Sequence, residues 1–103
     1  ICDRDHCIAA AGTSAKEYLG QGISEALEKI IEGRKAREFS SDEAVSAFGT
    51  SGSVMGYAVP IIAAGDISGA VLFIRTEAAG VVGEAEKSLA HCISAFISKQ
   101  LEL

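Results

Sequence analysis

At 103 residues the chain has room for one domain with a single hydrophobic core, and its composition, 49% hydrophobic and 6% aromatic, excludes a disordered chain. A formal net charge of −5 excludes the clustered positive surface on which nucleic-acid binding rests, and the densest basic run, Arg34-Lys35-Ala36-Arg37, suits only a helix C-terminus. No apolar run reaches the roughly 18 residues of a membrane-spanning helix.

Ile1-Cys2-Asp3 reads as the end of a strand already in progress, so the chain is expected to be a piece of a longer protein. Ile1 to Asp3 and Cys7 to Ala11 pair as a hairpin turned by Asp3-Arg4-Asp5-His6, and Gly12-Thr13 ends it. Three cysteines, Cys2, Cys7 and Cys92, form an odd set without secretory context, which favours reduced thiols and a cytoplasmic setting. Cys2 and Cys7 stand near Asp3, Asp5 and His6, but no second ligand pair follows at structural-zinc spacing. They read as small buried hydrophobes, and no metal is expected.

Ser14-Ala15-Lys16-Glu17 is a capping box that opens a short helix through Tyr18 and Leu19, stopped by Gly20. Ser24 caps a longer helix with Leu27, Ile30 and Ile31 at helical spacing, Ile23 stapling from outside, Glu25, Glu28, Lys29 and Glu32 on the wet face, and Gly33 closing it. Arg37-Glu38-Phe39 is a candidate short strand. Ser40-Ser41-Asp42-Glu43 is a candidate cap for a brief helical turn through Ala44 and Val45. Gly49-Thr50-Ser51-Gly52-Ser53 has the composition of a phosphate loop but lacks its Lys and precedes a strand, so it reads as a flexible connection and the place for a lid.

Val54 to Ile62 and Ile67 to Arg75 form two long strands joined through Ala63-Ala64-Gly65-Asp66, with Gly65-Asp66 as the turn signal. The second strand is apolar at alternate positions of both parities (Ile67, Val71, Phe73; Ala70, Leu72, Ile74), so both faces need cover, from helices of this chain or from a second copy. Glu77 to Gly83 is a loop. Glu84-Ala85-Glu86 then opens a long helix towards Leu103 with a broad apolar stripe of Ala85, Leu89, Cys92, Ile93, Phe96, Ile97 and Leu101. About twenty residues of helix span roughly 30 Å, more than so small a sheet needs. The stripe either packs on another helix, a preceding segment or a symmetry mate, or caps its own sheet. Leu89, Ile93, Phe96 and Ile97 are the candidate oligomer interface.

Hairpin-connected strands with helices gathered between them predict an α+β fold, an antiparallel sheet flanked by helices with a long C-terminal helix, not a parallel α/β fold. Ile1-Cys2-Asp3, Ala11 to Leu19, Ile23-Ser24-Glu25, Pro60 to Asp66, Gly69-Ala70-Val71, Gly83 to Lys87, Ala95-Phe96-Ile97 and Gln100-Leu101-Glu102 together resemble the GAF domain of the stage V sporulation protein T family. The resemblance covers nearly the whole chain in the right order. It implies the C-terminal regulatory half of bacterial transcription regulators whose N-terminal DNA-binding domain, a swapped hairpin of the AbrB type, is absent here. It further implies a single GAF-like domain over 1–103, no direct nucleic-acid contact from this chain, and terminal helices that bundle between subunits.

No ligand follows from the resemblance. GAF domains elsewhere bind cyclic nucleotides, tetrapyrroles or amino acids. Cys92 is poorly placed for a bilin and the cyclic-nucleotide signature is absent, so no cofactor is expected. A pocket between the sheet, the Ser24-to-Ile31 helix and the Arg37-to-Ser53 loops has Phe39, Phe48, Met55 and Tyr57 as candidate lining, against the plainer reading that they fill the core. Two readings therefore stand: a sensor that binds a small effector and oligomerises, and a purely structural oligomerisation module. No catalytic residues are assigned, because neither a paired acid and base nor a nucleophile with a base stands at suggestive spacing; His91 and Cys92 are helix neighbours that point apart.

Overall fold

A computed structural model describes residues 1–11, 15–40, 43–49, 54–75 and 83–101. The elements run α1 (Ala15–Tyr18), α2 (Glu25–Gly33), β1 (Arg37–Glu38), β2 (Met55–Ala63), β3 (Asp66–Ile74) and α3 (Glu84–Leu101). The architecture is α+β, as expected: an antiparallel sheet in the order β1-β2-β3, with α2 on one face and α3 on the other. Both covers for the two-faced hairpin thus come from this chain.

The β2–β3 hairpin turns at Ala64-Gly65, one residue earlier than the Gly65-Asp66 expected. Both residues have positive φ, 52° and 84°. A two-residue loop of the type I′ kind demands this at both positions, and alanine at the first is what hid the true turn from sequence. Two bulges set the faces. Gly56 is extra between the Met55↔Ile74 and Tyr57↔Phe73 pairs, and Ser68 is extra between Ile61↔Gly69 and Ile62↔Ile67. Met55 consequently joins Ala58, Ala70 and Leu72 on the α2 side, while Tyr57, Val59, Ile61 and Val71 face α3.

The α2 helix forms as its sequence dictates. The Ser24 hydroxyl accepts from the Leu27 N–H at 3.2 Å and donates to the Ser46 carbonyl at 2.7 Å, so the cap also ties down a distant loop. Leu27, Ile30 and Ile31 are buried, each contributing about 1.5–3 kcal/mol of transfer free energy. The helix closes on Arg34 at φ 60°, not on Gly33, and Arg34 instead reaches the Gly65 carbonyl at 2.7 Å. No helical turn forms at Ala44 and Val45; the Glu43 N–H donates to the Ser40 carbonyl, residues 43–45 are irregular, and Ser41 and Asp42 of the expected cap lie outside the described residues.

The first hairpin exists only as isolated pairing, Cys2 with Cys7 and Cys2 with Ala70, and residues 8–11 take no strand. Its turn is held by the Asp3 carboxylate, which accepts from the Asp5 and His6 N–H groups at 2.7 and 2.8 Å. Cys2 lies so close to β3 that a Cβ on Gly69 would sit 1.9 Å from the Cys2 carbonyl oxygen, which makes glycine obligatory there. Gly20, at φ 84°, ends α1 and its turn. Ser14, most of the Gly49-to-Ser53 run and most of the Glu77-to-Gly83 loop lie outside the described residues.

Candidate functional site

The distinctive surface is α3. Its buried residues are Ala90 and Ser94, with Lys87, Ile93, Ile97 and Ser98 half-buried around them. A helix advances 100° per residue, so Ala85, Leu89, Cys92 and Phe96 fall together on the side away from the sheet. All four are exposed, Leu89 at 52% and Phe96 at 65%. The candidate interface is therefore divided: Ile93 and Ile97 pack into the cluster formed by Tyr57, Val59, Ile61 and Val71, while Leu89 and Phe96 project outwards. Successive steps of four, three and four residues give that outer row the seam spacing of paired helices.

Beneath it, polar side chains fasten the helix. Even-numbered residues of β2 turn their carbonyls away from β3. Gly56 accepts from the Phe39 N–H just past β1, and β1 ends there. Farther along, Ser94 donates to the Pro60 carbonyl at 2.9 Å and Ser98 donates to that of Ile62. Pro60 has no N–H to offer this edge and loses nothing by facing it. One turn earlier in the helix, Tyr57 and His91 share a 2.7 Å hydrogen bond, the phenol or Nε2 donating according to tautomer, with their rings edge to face at 5.7 Å. Lys87 lies 5.9 Å from the centroid of the Tyr57 ring, pairs with Glu38 of β1 and reaches Glu84 at 3.4 Å. The Glu38 carboxylate holds the Lys87 ammonium above its ordinary pKa. These partners lie 34 or more residues apart in the chain for each serine and for His91, beyond any local motif. The signal that existed was the polar row Lys87, His91, Ser94 and Ser98 at helical spacing.

Of the four candidate pocket residues, Phe39, Phe48 and Met55 come together in the core under α2, exposed by 0%, 3% and 0%, whereas Tyr57 stands on the opposite face against α3. Phe48 stacks obliquely on Tyr18 at 5.6 Å, and Arg37 covers the Phe39 ring at 4.3 Å. A depression of about 280 Å³ lies elsewhere, lined by Arg4, Asp5, Ile23, Glu28, Ile31 and Glu32. The charged ends of Arg4, Asp5, Glu28 and Glu32 have no ion-pair partner among the described residues. The Ser40–Glu43 corner is clamped independently: Arg75 donates to the Ser40 and Glu43 carbonyls, and Arg37 pairs with the Glu43 carboxylate at 2.5 Å.

No described helix is long and apolar enough to cross a membrane. Residues 1–102 match the family described as stage V sporulation protein T C-terminal, transcription factor. Over 104 aligned residues the chain is 36% identical to stage V sporulation protein T of Bacillus subtilis (strain 168), covering 99% of this chain and 57% of that relative. The chain thus spans little more than half the length of the curated relative it matches.

Proposed function

Since the chain belongs to the family of stage V sporulation protein T C-terminal domains, we propose that it is the regulatory domain of a sporulation transcription factor and that copies of it assemble through the outer face of α3. The observation that carries assembly is the exposed row of Ala85, Leu89, Cys92 and Phe96 on a helix already fastened to its own sheet from the opposite side. A second copy of the same helix offers the same row, which a two-fold pair would bury symmetrically. DNA contact belongs, in this reading, to the part of such regulators that the chain does not span, and the setting is the cytoplasm. Phe96→Asp is the test. It should lower the mass in sedimentation or light scattering to that of a monomer while leaving far-UV circular dichroism intact, because Phe96 contributes little to its own fold. An unchanged oligomer rejects the interface; loss of structure means that Phe96 belongs to the core.

A second reading adds an effector, as in sensor domains of the GAF type. It is favoured by the depression beside α2, where three carboxylates and one guanidinium line a concavity without pairing to other described groups. Phe39, Phe48 and Met55 serve such a ligand only if the core opens. The lining suits a small cationic or zwitterionic molecule. In a thermal-shift screen, diamines and basic amino acids should raise Tm by about ten degrees when present at 100 Kd, where binding adds about 2.7 kcal/mol. A flat response from well-folded protein leaves the purely structural module.

A further inference from the structure

The N-terminal pairing places two thiols opposite each other in a particular way. Asp3 donates to the His6 carbonyl at 3.0 Å and Ile8 donates to that of Ile1 at 3.0 Å. Cys2 and Cys7 lie between these bonded pairs. Their own backbone groups point outwards: Cys2 exchanges two hydrogen bonds with Ala70, and Cys7 donates to Gln21 and accepts from Gly20. Cys2 and Cys7 are therefore a non-hydrogen-bonded antiparallel pair, the position where Cα atoms approach to about 4.5 Å and side chains stand closest. A disulfide needs about 4.4–6.8 Å between Cα atoms. Both residues are free thiols at 1% and 4% exposure, within the core cluster beneath α2, and the segment carrying Cys2 bonds to Ala70 and lies directly against Gly69.

We propose that Cys2 and Cys7 form a site of reversible disulfide modification, oxidised by a low-molecular-weight disulfide. The Cys7 thiolate attacks one sulfur of the reagent, whose S–S bond breaks and releases one thiol. The Cys2 thiolate then attacks the Cys7 sulfur and displaces the second reagent thiol. Two protein thiols are oxidised to one disulfide, one reagent disulfide is reduced to two thiols, and the protein's two thiol protons end on the released thiols. Cys7 attacks first because burial pushes the Cys2 thiol up to about 12. Attack requires the hairpin to open locally, so oxidation is slow.

The test uses the chain carrying Cys92→Ser, which removes the exposed thiol, equilibrated natively with graded ratios of oxidised and reduced glutathione. Free thiols are then alkylated in denaturant and the intact mass is measured. The expected product is lighter by two hydrogens, carries no alkyl group, and yields a peptide linked through Cys2 and Cys7. Its equilibrium constant should be at least tenfold larger in the folded chain than in urea, about 1.4 kcal/mol. With Cys2→Ser added, the reaction should stop at a glutathione adduct on Cys7. Thiols alkylated at every ratio, accumulated glutathione adducts in the Cys92→Ser chain, or a folded-state constant no larger than that in urea would overturn the proposal.

Discussion

Glu43 shows how single side chains hold the irregular part of this chain. Its carboxylate accepts from the Ser40 N–H at 3.0 Å and pairs with Arg37, and these contacts hold its pKa below the ordinary glutamate range, the Ser40 N–H first among them. The folded state therefore favours the ionised form. That stability is complete above the ordinary carboxylate range and is lost as pH falls through the depressed folded value. Asp3, held down by the N–H groups of His6 and Asp5, acts in the same direction. Glu43→Gln should accordingly flatten the acid limb of a urea-midpoint profile between about pH 5 and about pH 2; an unaltered slope would show that the corner contributes nothing to folding. Residues also account for what was hard to foresee. Ala64 and Arg34 both adopt left-handed backbone conformations that sequence reasoning reserves for glycine, so the turn and the α2 cap were each misplaced by one position next to a genuine Gly.

Among the elements, α3 departs furthest from its apparent pattern. Amphipathic logic sends the apolar stripe to the core, yet here Ser94 and Ser98 face the sheet while Leu89 and Phe96 face outwards. Removing the Ser94 hydroxyl leaves the buried Pro60 carbonyl without a donor among the described residues, a loss of about 1–3 kcal/mol. Ser94→Ala should lower the chemical-unfolding midpoint by a corresponding amount with m unchanged; an undiminished midpoint would mean that water takes the hydroxyl's place. The β2–β3 hairpin and α2 were legible because each is specified locally, by β-branched runs and by a cap with its periodic apolar residues. The first hairpin was half legible, since its Asp3 turn is local but its support comes from Ala70, far along the chain. The site was least legible. Tyr57 and Met55 are separated by the Gly56 bulge, which sends to opposite faces two residues that simple alternation puts on one.

At the scale of the molecule, two helices cover both faces of one sheet and α3 still offers an apolar row. If copies join through that row, folding and association share a free energy, and Tm should climb with protein concentration in a calorimetric series; a Tm that stays constant over two decades of concentration would argue for independent monomers. The same helix has a second duty. Beyond the short β1, the open side of β2 would present bare carbonyls at Pro60 and Ile62, and there Ser94 and Ser98 of α3 cap them while proline withholds a donor. An exposed strand edge templates the addition of further strands. Peeling α3 away would bare β2 as a seed for disordered growth, so the helix proposed to bring copies together in order would also guard against their aggregation.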